Sequence, residues 1–214
     1  MSTEKDIREA TALIFDLGGV IIDIEPEYTL RQLTMLPHTR RERLDMKSLA
    51  HLSFRLETGL TDEDTFRDEL RNILKTSVPN EAIDDAWNGM LLTIDPAKIA
   101  LLEDLREQYD LYLLSNTNPI HLREVHNRLQ AAGTYRNFDQ LFTECYYSHL
   151  EGLKKPNPEL FRHVIVKNKL DADTTFFLDD LAENLSGAAE AGLQVSHVNT
   201  PDHLFQLFSY EPQS

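Results

Sequence analysis

The chain has 214 residues, a length that fits one large domain or a domain carrying an insertion. Its 21 Lys and Arg against 36 Asp and Glu give a formal net charge of −15, which disfavours nucleic acid and anionic membranes as partners. No apolar run approaches the roughly 20 residues of a membrane span, and the charged N-terminus does not resemble a secretory signal. The single cysteine, Cys145, cannot form an internal disulfide. We therefore expect a cytoplasmic protein that binds neither nucleic acid nor membranes.

Short β-rich runs alternate with longer helical patterns along most of the chain, which is typical of an α/β protein. The runs cover residues 12–15, 111–114, 174–178 and 194–198, with a weaker candidate at 142–148. Each strong run is almost wholly apolar, as expected for strands that are buried on both faces. Helix starts are indicated at residues 95–96, at Pro119 and at residues 157–158. This alternation predicts a Rossmann-like, doubly wound parallel sheet with right-handed crossovers.

The stretch from residue 26 to residue 91 interrupts this alternation, because it contains helical patterns and no convincing strand. A capping box formed by Thr61 and Asp64 predicts the start of one of its helices. We interpret the stretch as an inserted α-helical cap, and ordinary crossover packing of its helices is the alternative. The predicted domains are a catalytic core of residues 1–25 and 92–214 and a helical cap of residues 26–91.

Polar residues stand where three of the predicted strands end. Asp16 follows the run at 12–15, Ser115 follows the run at 111–114, and Asp179 and Asp180 follow the run at 174–178. Each residue alone can simply open a turn or cap a helix. In an open parallel sheet, however, ligands bind at the carboxyl ends of the strands, so the coincidence predicts a site at this edge.

These positions resemble the four motifs of the haloacid dehalogenase (HAD) superfamily, most of whose members are magnesium-dependent phosphatases. The resemblance spans nearly the whole chain, and the motifs occur in the family's order. They are IFDLGGV with Asp16, LLSNTN with Ser115, LKKPNPELF with Lys155, and FFLDDLAENLSGAAEAG with Asp179 and Asp180. The first motif is similar to that of helical-cap bacterial sugar-phosphate phosphatases, including enzymes that act on glucose 1-phosphate.

The roles of the acidic residues can be argued from their chemistry. A carboxylate at a strand end can attack phosphorus and form an aspartyl-phosphate that water then hydrolyses, so Asp16 is the predicted nucleophile. Mg²⁺ suits a site formed by Asp16, Asp180 and several waters. The resemblance adds the carbonyl oxygen of Gly18 as a metal ligand. It also places Asp179 and Asn184 in or beside the coordination shell, with Asp180 favoured over Asp179 as the direct ligand.

Phosphate binding is expected from preorganised donors near the nucleophile. The predicted donors are the Ser115 hydroxyl, the Lys155 ammonium and the backbone N–H groups of Leu17, Gly18 and Asn116. Lys154 is the alternative to Lys155, but the motif KPNPELF places the family's lysine directly before Pro156.

One position departs from the family's commonest pattern, in which a second aspartate follows the nucleophile by two residues. Here that position is Gly18. The missing acid protonates the leaving oxygen, a contribution of typically 10²- to 10⁴-fold in rate. Asp23 is the nearest possible substitute general acid and Glu25 is the next, although either can instead be a solvated turn residue.

The cap contains candidates for substrate contact. The segment ETGLTDEDTF resembles a cap segment of the family, with a turn at Gly59 flanked by Arg55 and Glu57. An exposed helix face is the alternative role for these two side chains. Trp87 falls at helical spacing with apolar neighbours, which favours the cap core over a binding role. The eight histidines form no metal-binding motif.

We therefore expect a magnesium-dependent phosphomonoester hydrolase that acts on a small phosphorylated metabolite, with a sugar phosphate as the leading candidate. One alternative is a true haloacid dehalogenase, in which the same aspartate attacks carbon. That chemistry needs no metal, so the pair Asp179 and Asp180 argues against it. The other alternative is a catalytically silent protein that binds a phosphorylated ligand.

Overall fold

The computed structural model describes residues 6–37, 46–131 and 138–211. Its strands are β1 (Ala12–Phe15), β2 (Ile22–Ile24), β3 (Leu91–Ile94), β4 (Asp110–Ser115), β5 (Glu144–Tyr147), β6 (Thr175–Asp179) and β7 (Gln194–His197). Five of them form a parallel sheet in the order β5-β4-β1-β6-β7. The predicted parallel α/β fold is confirmed, and the weak candidate at 142–148 contains a strand.

The helices pack in two groups, one on the sheet and one in the inserted segment. They are α1 (Pro26–Met35), α2 (Met46–Glu57), α3 (Glu63–Leu74), α4 (Asn80–Trp87), α5 (Pro96–Leu105), α6 (Pro119–Ala131), α7 (Ser148–Glu151), α8 (Pro158–Asn168), α9 (Ala182–Glu190) and α10 (His203–Leu207). Short 3₁₀ turns cover Ile7–Glu9, Asn88–Met90 and Phe138–Leu141. The three helix starts predicted between the strands correspond to α5, α6 and α8.

Strand β1 shows why the sheet is covered on both faces. Its residues alternate between the faces, as the pleat of a strand requires. Leu13 and Phe15 belong to a hydrophobic cluster with α5, α6 and α10, whereas Ala12 and Ile14 belong to a cluster with α8 and α9. All four side chains are buried. The helices therefore form a layer on each side of the sheet, as the doubly wound fold predicts.

A small antiparallel ribbon leads into and out of the helical segment. Strand β2 pairs with β3, with Ile22 opposite Ile94 and Ile24 opposite Leu91. The sequence VIID at residues 20–23 predicts a short extended flap, which overlaps the first of these strands, but the sequence gives no sign of the second. Two of the four residues of β3 are exposed, so it lacks the continuous apolar run that marks the buried strands.

Helices α1 to α4 have a hydrophobic core of their own. It contains Leu33, Leu49, Leu52, Leu56, Phe66, Leu70, Leu74, Ile83 and Trp87, together with Ile120 from α6. Trp87 is 5% exposed, and its ring stacks on that of His121 in α6 at a centroid distance of 5.5 Å. The predicted core role of Trp87 is confirmed. Ile120 and His121 connect this cap core to the sheet domain.

The start of α3 differs from the predicted capping box. Asp62 is the N-cap residue, and its carboxylate accepts a hydrogen bond of 2.7 Å from the backbone N–H of Thr65. The Thr61 hydroxyl is buried and has no hydrogen-bond partner among the described residues. Both residue pairs have the spacing of a cap, and a carboxylate is a good acceptor for the free N–H groups at a helix start. The prediction at Thr61 and Asp64 was therefore wrong by one residue.

No helix in the part of the chain that the structure describes is long and apolar enough to cross a membrane.

The assignment of Asp62 as the N-cap residue of α3 predicts unequal effects of two neighbouring substitutions. Asp62→Ala should lower the melting temperature at pH 7, whereas Thr61→Ala should leave it unchanged or raise it, because Thr61 makes no hydrogen bond. The hydrogen bond from Thr65 holds the pKa of Asp62 below its usual range. This stabilisation is therefore complete above the carboxyl's unfolded pKa and lost as the pH falls through the folded pKa. Thermal unfolding at pH 7 and pH 2.5 measures both effects, and equal losses in the two variants would contradict the assignment.

Candidate active site

Asp16, Lys155 and Asp179 meet at the carboxyl edge of the central strands. Asp16 directly follows β1, and Asp179 is the last residue of the neighbouring strand β6. The Lys155 ammonium lies 2.6 Å from Asp16 Oδ1 and 2.7 Å from Asp179 Oδ2. All three side chains are buried. The sheet and the loop before α8 thus bring together residues that are up to 163 positions apart in the sequence.

Several hydrogen bonds fix the Asp179 carboxylate, which suits a residue that supports the metal site without being its main ligand. Besides the Lys155 contact, it accepts hydrogen bonds from Asn184 Nδ2 to both oxygens at 3.0 Å and from the Leu181 N–H at 2.8 Å. Its side chain is completely buried. Asp180 accepts none of these hydrogen bonds and is only partly buried. The geometry is therefore consistent with Asp180 as the more available of the two carboxylates.

Three carboxylates share this edge, and Lys155 supplies one positive charge. Oxygens of Asp16, Asp179 and Asp180 lie within 4.8 Å of one another. Burial, opposed by Lys155 and aided by repulsion from Asp179, raises the pKa of Asp16 to about 7. Burial and the charge of Asp179 also raise the pKa of Asp180. An excess of negative charge on hard oxygen donors fits a divalent cation such as Mg²⁺.

The turn after β1 passes close to Asp180. Gly19 has a φ of +82°, and a Cβ atom at this position would lie only 2.4 Å from Asp180 Oδ2. A side chain here would be strained by the backbone and would collide with the carboxylate. The glycine is therefore needed to let the turn pass close to Asp180.

Ser115 and Asn116 extend the site along the sheet edge. Ser115 ends β4, the other neighbour of β1, and is buried. The Asn116 side chain contacts the backbone of Lys155 twice: Oδ1 accepts from its N–H and Nδ2 donates to its carbonyl, both at 2.9 Å. Asn116 was predicted only as a backbone phosphate donor. Its side-chain role in holding the Lys155 loop was missed, because nothing in the sequence pairs two segments 39 residues apart.

The position of the family's second aspartate lies against strand β2. A Cβ atom at Gly18 would lie 3.2 Å from Ile24 Cδ1. The side chain of Ile24, on β2, thus lies against the place where an acid would begin. A Cβ atom at this position would need the terminal methyl of Ile24 to shift by a few tenths of an ångström, so the contact fits glycine without requiring it.

Both possible substitute acids form ion pairs. Asp23 Oδ1 accepts a hydrogen bond of 3.0 Å from Lys98, whose side chain is 2% exposed. Glu25 pairs with Arg31 on the exposed surface. Protonation of Asp23 would leave a buried ammonium without its counterion, which is costly. This contact opposes the use of Asp23 as a proton donor.

The two cap candidates have different surroundings. Arg55 pairs with Glu69 of α3 at 2.8 Å, a contact within the cap. Glu57 pairs with Lys154, the residue before Lys155, and so connects α2 to the loop of the candidate site. The turn at Gly59 packs closely on α7, since a Cβ atom at Gly59 would lie 2.4 Å from the carbonyl oxygen of His149. Of the two, Glu57 is brought towards the site.

A parallel α/β sheet with acidic strand ends, a buried lysine and a helical insertion after its first strand defines a class of hydrolases. Residues 10–192 match the haloacid dehalogenase-like hydrolase family, and the chain belongs to it.

Several relatives are similar over almost the whole chain. A D-ribitol-5-phosphate phosphatase from Bacteroides thetaiotaomicron is 28% identical, covering 85% of this chain and 88% of the relative. A sesquiterpene phosphatase from Aspergillus oryzae is 26% identical, covering 87% and 89%. A HAD family enzyme from B. thetaiotaomicron, whose crystal structure was solved in complex with magnesium and inorganic phosphate, has 32% sequence identity to this chain. It has a TM-score of 0.81 and covers 92% of this chain and 99% of that chain.

Metal binding to this carboxylate cluster should depend on pH. Since the raised pKa values of Asp16 and Asp180 keep protons on the cluster as the pH falls below about 7, Mg²⁺ should raise the melting temperature more at pH 8 than at pH 5.5. Thermal unfolding with and without Mg²⁺ measures this difference.

Asp180→Asn should remove most of the Mg²⁺-induced shift, whereas Glu183→Gln, a nearby exposed acid outside the cluster, should retain it. A shift in wild-type protein that is the same at both pH values, or that survives in Asp180→Asn, would contradict this assignment of the site.

Proposed function

We propose that this protein is a magnesium-dependent phosphomonoester hydrolase that acts on a small phosphorylated metabolite through an aspartyl-phosphate on Asp16. The main observation in support is the buried contact of Lys155 with both Asp16 and Asp179 at the strand ends. The two phosphatases among the relatives, and the neighbour crystallised with magnesium and phosphate, support the same chemistry. Mg²⁺ is the cofactor that this carboxylate set fits.

In the proposed mechanism, a carboxylate oxygen of Asp16 attacks phosphorus while the bond between phosphorus and the leaving oxygen breaks. Water then attacks the aspartyl-phosphate, which releases inorganic phosphate and restores the carboxylate. Lys155 fixes the orientation of Asp16 and offers positive charge to the phosphate, and Ser115 offers a hydroxyl donor. Asp16, Asp180 and the carbonyl oxygen of Gly18 would hold Mg²⁺, which offsets negative charge on the phosphate oxygens when it is bound.

The leaving group receives no acid from position 18, and the alternative acids are in ion pairs. The chemistry should therefore favour substrates whose leaving oxygen accepts negative charge easily. The sugar phosphate suggested by the first motif remains a prediction, because the two phosphatase relatives are named for very different alcohols.

Replacement of the nucleophile tests the mechanism directly. Asp16→Asn should reduce phosphate release from 4-nitrophenyl phosphate by at least 10³-fold, because an amide does not readily form the phosphorylated intermediate. Wild-type activity should require Mg²⁺, and circular dichroism should show that the variant is folded. Activity above a few per cent of wild type in the variant would remove Asp16 from this role. Absence of phosphate release by the wild type with Mg²⁺ would support a silent binding protein instead.

A second test concerns the missing acid. The rate should depend steeply on the leaving-group pKa, and glucose 1-phosphate should be hydrolysed faster than glucose 6-phosphate at saturation. The double variant Gly18→Asp with Ile24→Ala, which makes room for the new side chain, should reduce this dependence, whereas Ile24→Ala alone should not. Steady-state kinetics on substituted phenyl phosphates give the slope. A shallow slope in the wild type, combined with loss of activity in Asp23→Asn, would show that Asp23 is the general acid despite its contact with Lys98.

A further inference from the structure

A groove of about 400 Å³ runs between α1 and α2 in the cap. Seven of its twelve described lining residues are apolar, and they come from both helices, the end of α4 and the 3₁₀ turn that follows it: Pro26, Leu30, Met46, Leu49, Ala50, Trp87 and Met90. Its volume lies within the usual range for small-molecule sites. Ala50 and Met46 are exposed at one end, whereas Leu49 and Trp87 are buried in its floor. The groove is therefore open to solvent and lined largely by hydrocarbon.

One lining residue of this groove, Glu57, contacts the loop that carries Lys155. Glu57, the last residue of α2, lines the groove and pairs with Lys154. The next residue, Lys155, contacts Asp16. The groove is thus linked to the predicted phosphate site through Glu57 and Lys154, and a second, smaller cavity is lined by Lys154 and Lys155 with Phe54 and Thr58 of the cap.

Most polar side chains in the groove are already engaged by the protein. The Thr29 hydroxyl donates to the carbonyl of Trp87 at 2.8 Å and accepts from the N–H of Met90 at 3.0 Å. The two ring nitrogens of His121 lie 3.0 Å from Asn118 Nδ2 and 3.1 Å from the carbonyl oxygen of Trp87. Apart from the indole N–H of Trp87, which is buried without a hydrogen-bond partner among the described residues, these contacts leave the groove with little to offer the several hydroxyl groups of a sugar or polyol.

The charges in the groove disfavour an anionic ligand. No lysine or arginine is among the described residues that line it, and its two acids are Glu27 and Glu57. Glu57 is engaged by Ser53 and Lys154. Burial lowers the pKa of His121 to about 4, so this ring is neutral at pH 7. Among the described lining residues, a second phosphate or a carboxylate would therefore find no positive partner.

We propose that the groove between α1 and α2 binds the leaving group of the substrate, and that this leaving group is an uncharged, mainly apolar alcohol. The inference rests on the proposed phosphatase function. It narrows the substrate class to monophosphates without a second anionic group, and it replaces the sugar phosphate expected from the first motif.

A series of 4-alkylphenyl phosphates, from methyl to pentyl, tests the groove separately from the chemistry. The acidity of the leaving phenol is nearly constant in this series, so only the apolar length changes. Since a buried methylene strengthens binding up to about fourfold, kcat/KM should rise about two- to fourfold per methylene. A kcat/KM that is flat or falls along the series would overturn the groove proposal while leaving the phosphatase function intact. No phosphate release from any member with Mg²⁺ would overturn both.

A matched anionic substrate tests the charge argument. The compound 4-(4-carboxybutyl)phenyl phosphate has nearly the length of the pentyl compound and adds one carboxylate. Its kcat/KM should be at least tenfold lower at pH 7. Equal values for the two compounds would contradict an apolar, uncharged leaving group.

Two variants of α2 locate the effect. Ala50→Glu places a carboxylate in the groove and should lower kcat/KM for 4-pentylphenyl phosphate about tenfold, with loss of the chain-length dependence. His51→Glu places the same side chain on the next residue, which does not line the groove, and should keep the dependence. Both positions are exposed, so the fold should tolerate both changes, and thermal unfolding checks this. Equal values of kcat/KM and equal chain-length dependence in the two variants would show that the groove does not bind the substrate.

Discussion

The Lys155 ammonium, buried between Asp16 and Asp179, is the interaction on which the arrangement of the site depends. A buried charge is tolerated only when it is well paired, and here two carboxylates from adjacent strands supply the pairing. The surrounding structure keeps the lysine in place: Asn116 holds its backbone, and Gly187 in α9 allows close packing on the next residue. A Cβ atom at Gly187 would lie only 2.0 Å from the Pro156 carbonyl oxygen. The end of β4, the end of β6 and α9 are thus positioned around one side chain.

The sequence predicted the elements whose signal is local. Buried strands such as β1 and β6 are short apolar runs, and the acids that follow them meet because parallel strands end at one edge. The predicted association of Asp16, Lys155 and the acidic pair therefore needed only the parallel direction of the strands and the family's motifs. Strand β3 was missed because half of its residues are exposed. The N-cap role of Asp62 was missed because the pair Thr61 and Asp64 has the same spacing as the pair Asp62 and Thr65. In both cases the local pattern was ambiguous and tertiary packing made the choice.

Contacts between distant segments could not be predicted in the same way. The position of Ile24 against Gly18, the ion pair of Asp23 with Lys98, and the apolar groove of the cap depend on how separate elements pack. Each of them changes how the site is interpreted. Gly18 lies against the Ile24 side chain, the nearest substitute acid is engaged by a buried cation, and the proposed leaving-group groove offers few free polar partners. Sequence motifs defined the chemistry of the phosphate better than that of the alcohol.

The ribbon of β2 and β3 has a consequence for how such a protein can change during evolution. The helical segment leaves the core after Glu25 and returns at Met90, and these two residues are joined by a backbone hydrogen bond of 2.9 Å. The insertion thus begins and ends at nearly the same point in space. Its length and sequence can change without moving any strand of the five-stranded sheet. Under the proposed function, the segment that would contact the alcohol can therefore change independently of the residues at the strand ends.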